Sequence, residues 1–309
     1  MSAGEFYSKG KFLLSGEYLV LNGAKSLAVP LKFGQRMMIS ELPEPGTLKW
    51  ETFVMGNSWF SGEYNLNNLE ILGYSDQKTA LFVQQVLRSG AKLQPERLKA
   101  AHGYLVQNHI DFDINWGLGS SSSLVSNMAY WLDIDPFALY RELYQGSGYD
   151  VFCARATKPI LYQLKENIPE IQEISFKPSF SDHIYYVHLG RKQDSQQSVK
   201  QFRMQFNHND KLIRQISEIT DLMLKAGSMD EFMRVIILHE SAISSVLGMK
   251  PVKEDIFPDF HGEIKSLGAW GGDFIMAATP MNHDEVIDYF CSKNMPIIFR
   301  WKEIVYEDK

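Results

Sequence analysis

Residues 117–132, GLGSSSSLVSNMAYWL, restrict the fold most: two glycines and four serines run straight into an apolar stretch of helical length. A glycine turn that opens a helix leaves backbone N–H groups without partners, and the helix dipole adds partial positive charge there. The residues before it read as a strand ending near Trp116, and the helix is expected from about Ser121 to Leu132. The chain must therefore build a strand–turn–helix unit. Two uses suit such a turn. It can cradle phosphate on the backbone of Gly117, Leu118, Gly119, Ser120, Ser121 and Ser122, or it can be a glycine turn with serine N-caps that needs no ligand. A serine hydroxyl there can also ligate a magnesium ion that bridges two phosphates.

Around this unit, strand-like and helix-like segments interleave without regular βαβ repetition, which favours an α+β fold over a doubly wound sheet. KFLLSGEYLVLNGAKSLAVPLKFGQRMMISEL holds two apolar segments about the turn dipeptide Asn22-Gly23 and reads as paired strands. Leu48 to Met55, broken by Gly56, Asn57 and Ser58, extends the meander. Leu81, Phe82, Val83, Val86 and Leu87 recur at helical spacing, and Pro95 to Asn108 reads as helix, or as helix then strand. A short helix over Pro136–Tyr144 and a strand ending near Leu164 follow. Residues 165–182 are polar and contain Pro169 and Pro178, so a boundary is expected there, with domains at 1–165 and 166–309. The second half predicts a strand at His183–Leu189 and helices across Asp210–Ala226, Met229–Ser245 and Asp284–Lys293. GAWGGDFIMAATP reads as a glycine turn entering a strand, and Pro296–Tyr306 as a last strand. A chain of 309 residues has room for two domains.

The net charge of -6, from 37 acidic and 31 basic residues, argues against electrostatic capture of nucleic acid or an anionic membrane. Cys153 and Cys291 form no CxxC pair, so neither a disulfide framework nor a zinc site is expected. No segment has the apolar length of a signal peptide or a membrane span, and a soluble, cytoplasmic protein is the expectation. Three enzyme motifs fail on spacing. Gly4 lies one residue too early for a Walker A loop ending at Lys11, and Phe12 replaces its hydroxyl residue. GLGSSSS lacks the closing glycine of a GxSxG elbow. His239-Glu240 opens a zinc-protease signature, but Ile243 occupies the place of its second histidine, leaving a helix surface or an ordinary buried pair.

Three further segments can carry chemistry. Gly146-Ser147-Gly148-Tyr149-Asp150 displays a carboxylate on a glycine turn ahead of an apolar strand, fit to orient a hydroxyl or take its proton, or simply to cap the turn. Gly268 to Asp273 is a tight turn that brings backbone near a ligand, or a strand-entry loop with Trp270 in the core. Lys11, before a Leu-rich strand, can balance phosphate charge or lie on the surface.

In this order the segments resemble the GHMP kinase superfamily. KGKFLLSGEYLVLNGAKSLAVPL is similar to its first motif, GLGSSSS to its phosphate loop, and GAWGGDFIMAA to its glycine-rich third motif. SGYD resembles the stretch with the catalytic aspartate in the mevalonate and phosphomevalonate kinase branches, nearest to a bacterial subgroup named for its GYDIA signature. The resemblance implies an N-terminal domain of the ribosomal protein S5 domain 2 type, a C-terminal ferredoxin-like domain, ATP and magnesium, and a small-molecule acceptor. Carried over by position, Gly117 to Ser122 hold the triphosphate and Ser121 ligates magnesium. Asp150 is the base or orienting carboxylate, and Lys11 the charge partner near the reacting hydroxyl. Glu17 and Tyr18 neighbour the substrate or nucleotide, Gly271 and Gly272 line the acceptor end, and Glu142 is the nearest candidate for a second magnesium ligand. The chain departs from the family where Lys9-Gly10-Lys11 replaces PGK, where Asp113 to Trp116 precede the phosphate loop, and where Trp270 takes a glycine's place. The implied activity is ATP-dependent phosphorylation of a compact acidic metabolite, best guess mevalonate or phosphomevalonate. The alternative is a non-catalytic nucleotide-binding regulatory protein on the same fold.

Overall fold

The computed structural model describes residues 4–98, 102–191, 195–206, 208–268, 270 and 272–307. Its contacts gather into two compact units, one of Met1–Gly10, Phe33–Ile114 and Leu118–Arg155, the other of Lys11–Lys32, Asn115–Gly117 and Ala156–Lys309. Two long strands, β1 (Gly4–Ser15) and β2 (Ser26–Leu42), contribute residues to both. The chain thus passes between the units several times, where the sequence suggested one boundary at residue 165, and its last passage is at Arg155–Ala156.

In the first unit β3 (Thr47–Val54), β4 (Asn57–Asn65), β5 (Ile71–Tyr74) and β6 (Gly103–Ile110) join the later half of β2 in the order β5-β4-β3-β6-β2. Neighbours are antiparallel except β3 and β6, which run parallel. Met55 and Gly56, at φ 49 and 81, give the β3–β4 turn the two left-handed residues that a tight hairpin uses. Alternate residues of the strands, among them Leu48, Trp50, Tyr104 and Val106, are buried in one core with helices α1 (Gln77–Leu93), α2 (Ser120–Leu132) and α3 (Pro136–Leu143). Each fully buried aliphatic or aromatic side chain contributes about 1.5–3 kcal/mol. That core fixes α2, and with it the serine turn at its start. A short helix, α4 (Tyr149–Cys153), follows α3.

The expected strand into Trp116 ends at Ile110 instead. Asp111 turns back to accept the Gly34 N–H at 2.6 Å, and Ile114–Trp116 coil into a single 3-10 turn.

In the second unit β7 (Ile160–Lys165) pairs with Ser26–Ala28 of β2 and with β8 (Ile168–Glu173). The stretch expected as an interdomain linker is therefore partly a hairpin. Glu166 and Asn167, at φ 50 and 64, make its turn, and Pro169 is tolerated because β8 is the edge of the sheet. Next come β9 (Ile184–His188), α5 (Ser195–Gln205), α6 (Asp210–Lys225), α7 (Met229–Leu247) and α8 (Val252–Ile256). The chain closes with β10 (Glu263–Ser266), β11 (Phe274–Ala278), α9 (His283–Ser292), β12 (Ile298–Arg300) and α10 (Trp301–Ile304). Only the first part of the expected last strand is a strand, because Glu303 caps a helix at Arg300. β10 to β12 and β9 form an antiparallel sheet in the order β10-β11-β9-β12. Numbered by chain position and read from its other end, that order is fourth, first, third, second, with helices in both crossovers: the ferredoxin-like arrangement. No helix among the described residues is long and apolar enough to cross a membrane.

Candidate active site

The serine turn divides its hydroxyls between two tasks. Ser122 and Ser123 are buried and bond back to the carbonyls of Gly119 and Ser120, both at 3.0 Å, and Ser123 also meets Gln35 Oε1 at 2.9 Å. Ser121 is exposed. Gly119, at φ 99, is the N-cap of α2 and offers its helix no side-chain cap, so the first N–H groups are not covered from that side. Gly117, at φ 68, has no space for a side chain: a Cβ there would stand 2.3 Å from an oxygen of Asp273. A close-fitting glycine followed by an uncapped helix start suits a phosphate group.

Asp150 lies in the first turn of α4, not ahead of a strand as the sequence suggested. Gly148, at φ 80, lets the backbone enter that turn, and Asp150 Oδ1 accepts the Val151 N–H at 3.2 Å. The first unit brings Ser121 and Asp150 to a common neighbour, Tyr144. Its hydroxyl is buried and makes no hydrogen bond of ordinary geometry. Burial raises the pKa of this phenol, the Ser121 hydroxyl opposes the rise, and the negative charge of Asp150 adds to it. Glu142, two residues earlier, forms an ion pair with Lys92 of α1 at 2.8 Å. Among the described residues no group of three or more His, Cys, Asp or Glu side chains is arranged to hold a metal.

In the second unit Lys11 Nζ donates to the Gly117 carbonyl at 3.4 Å, which sets a cation at the first glycine of the turn. Glu17 is only 3% exposed and is enclosed by charge. Lys265 Nζ bonds its Oε1, and His239 Nε2 is 3.1 Å from its Oε2. Burial by itself would raise the Glu17 pKa; Lys265 and His239 outweigh it and hold the carboxyl at about 2. His239 Nε2 also accepts the Gly16 N–H at 3.1 Å, and Glu240 Oε2 accepts the Ser266 N–H at 3.1 Å. The His239-Glu240 pair is thus buried, and it holds the turn Gly16–Tyr18 through the Gly16 N–H. Glu17 faces these partners, so its influence on any bound molecule passes through the turn.

Tyr18 is held at φ 61 with its ring on Phe202, and its hydroxyl accepts the Trp270 amide at 3.0 Å. Burial raises its pKa, against the Trp270 amide and Ser198. Trp270 is 5% exposed and its indole donates to the Lys250 carbonyl at 3.2 Å, so this large residue serves as core. Gly272 is buried beside it; Gly271 lies outside the described residues.

Sequence reasoning missed Tyr144, Lys265 and Asp273. Lys265 gave no local signal, being 248 residues from Glu17. Tyr144 ends a helix just before the GSGYD turn, and Asp273 directly follows two glycines at a strand entry; both positions were visible in the chain.

No family model matches the chain, and no curated protein does. Solved structures do. Mevalonate kinase from Methanococcus jannaschii is 16% identical over 99% of each chain, with a TM-score of 0.70. Phosphomevalonate kinase from Streptococcus pneumoniae, in complex with phosphomevalonate and AMPPNP, is 15% identical over 97% of this chain and 100% of that one, with a TM-score of 0.69. Galactokinase from Lactococcus lactis, complexed with galactose, is 13% identical over 97% and 93%, with a TM-score of 0.67. The chain has the GHMP kinase fold. Within this GHMP fold the second unit gathers Lys11, Gly117, Tyr18, Trp270 and Asp273, and the first gathers Ser121, Tyr144 and Asp150.

Proposed function

We propose that the protein is an ATP-dependent small-molecule kinase that moves the γ-phosphoryl group of MgATP to a compact acidic acceptor, mevalonate or phosphomevalonate in the first instance, in the cytoplasm. The observation that carries this reading is the uncapped start of α2, led by a close-fitting glycine with Lys11 on its carbonyl, in a fold shared with a kinase bound to AMPPNP. In-line phosphoryl transfer has a loose transition state, so positioning and charge neutralisation supply most of the catalysis.

The backbone of residues 117–122 would bind the phosphates. Magnesium, when bound, neutralises phosphate charge; Ser121, the exposed serine of the turn, is its protein ligand in this reading, since Glu142 is held by Lys92. Lys11 would counter charge at the first glycine. Asp150 would orient the acceptor or take its proton. With phosphomevalonate the attacking oxygen is ionised near neutral pH, and Asp150 would position only.

The test is ADP release from MgATP with mevalonate, phosphomevalonate, homoserine and galactose, beside Asp150→Asn. Acceptor-dependent ADP that vanishes in the variant supports the kinase. ATP binding with no ADP release on any acceptor would sink it in favour of a non-catalytic nucleotide-binding protein.

A further inference from the structure

Helix α2 opens on weak helix formers. Gly119 is its N-cap and supplies no side-chain cap, and four serines fill its first turn. Such an end frays unless something outside the helix holds it. The hold comes from within the first unit, from a polar cluster sealed between α2 and the sheet. Gln35 of β2 is 2% exposed, and Asn108 of β6 and Ser123 and Asn127 of α2 are fully buried. Their chain neighbours Met37, Val106, Val125 and Met128 belong to the apolar core. The Gln35 side chain bonds in both directions: Nε2 donates to Asn108 Oδ1 at 3.2 Å, and Oε1 accepts the Ser123 hydroxyl at 2.9 Å. Its backbone carbonyl accepts Asn127 Nδ2 at 2.9 Å, one helical turn further on. The Ser123 hydroxyl also lies 3.0 Å from the Ser120 carbonyl, so its one hydrogen is shared between the sheet and the first residue of the helix.

Polar groups in such a place cost free energy, and this cluster does not recover all of it: Asn108 Nδ2 and Asn127 Oδ1 have no hydrogen-bond partner. Apolar side chains of the same shape would serve stability as well or better. What the directional bonds add is register, since they fix where α2 meets β2 more narrowly than apolar contacts do. With the first turn held from its inner side, its outer N–H groups stay uncovered, because no side chain of Gly119 caps them. We infer that Gln35 is a positioning residue of the phosphate turn: acting through Ser123, it holds the start of α2 in the placement that binds the phosphates of a nucleotide. Gln35, being buried, does not itself reach the ligand; its effect passes through Ser123 to the backbone of residues 120–122. The inference rests on the reading of the serine turn as a nucleotide turn.

The experiment is calorimetric titration of the full chain with ADP in excess magnesium, well below each protein's unfolding midpoint, for the wild type, Gln35→Met, Ser123→Ala and the double variant. Methionine keeps the volume of glutamine and makes none of these hydrogen bonds. Each single variant should weaken ADP about tenfold, a change of about 1.4 kcal/mol, the size of one loosened bond to a charged phosphate. The double variant should bind within about twofold of the weaker single variant, since both changes cut the same link. A lower unfolding midpoint with unchanged ADP affinity in the single variants would make the cluster a matter of core stability alone. Fully multiplied losses, about a hundredfold in the double variant, would mean that Gln35 does not act through Ser123. Either result overturns the proposal. If Gln35→Met does not fold, Ser123→Ala decides, and unchanged affinity there overturns it as well. Wild-type protein that does not bind ADP overturns the nucleotide reading, and this inference with it.

Discussion

Lys265→Met tests the buried charge beneath the Gly16–Tyr18 turn. Lys265 is fully buried and Glu17 nearly so, and the lysine is the largest of the influences that lower the Glu17 carboxyl from its usual 4.5 to about 2. A depression of that size contributes about 3 kcal/mol to the native state by linkage, at 1.36 kcal/mol for each tenfold change. Because the folded value is the lower one, the contribution is complete above about pH 4.5 and is lost as pH falls toward 2. Removing the lysine leaves an under-compensated carboxylate in the core, which costs about 3–5 kcal/mol at pH 7. Burial then pushes the carboxyl up, so a proton relieves the defect, and the gap between variant and wild type should narrow on going from pH 7.5 to pH 4.5. The assay is urea unfolding followed by tryptophan fluorescence at several pH values. Glu17→Gln combined with Lys265→Met should recover about 2 kcal/mol or more of the single-variant loss, as contacting partners do. A gap that stays constant with pH, or strictly additive losses, would refute the argument.

Asp150→Asn should keep MgATP affinity and lose at least about two orders of magnitude in turnover; near-normal ADP release would take Asp150 out of its role. Ser121→Ala should raise the magnesium concentration needed for half-maximal ADP release, and an unchanged titration would argue against that ligand. Gly117→Ala puts a Cβ 2.3 Å from the Asp273 carboxylate at φ 68, so it should lower stability by about 1–3 kcal/mol and weaken ADP binding. An unfolding midpoint equal to wild type would show that the turn has slack.

Long periodic elements were legible from the residues alone. The helix over Gln77–Leu93 follows from Val83, Val86 and Leu87, and the helix at Ser120–Leu132 from its glycine start and apolar run. What escaped was set by tertiary contacts. The strand before the serine turn stops because Asp111 bonds Gly34, a partner 77 residues away. The helix at Tyr149–Cys153 is five residues long, too short for periodicity to show, and its glycine-rich entry reads as a loop. The site divides in the same way. Ser121 was visible within the turn, but which serine stays exposed depends on back-bonding that spacing does not encode. Glu17 carried the right motif, whereas its partners Lys265 and His239 lie on distant elements and give no local sign.

The sharing of β1 and β2 between the two units bears on how the protein is made. Residues 11–32 leave the ribosome before Ala156–Lys309, the part with which they belong. At about 5–20 residues per second the segment waits on the order of ten seconds for its partners. It is an apolar stretch, FLLSGEYLVLNGAKSLAVPL, and Ser26–Ala28 must wait for Ile160–Tyr162 to pair. Expression of residues 1–155 alone would leave that wait unending, with the apolar segment still lacking its partners.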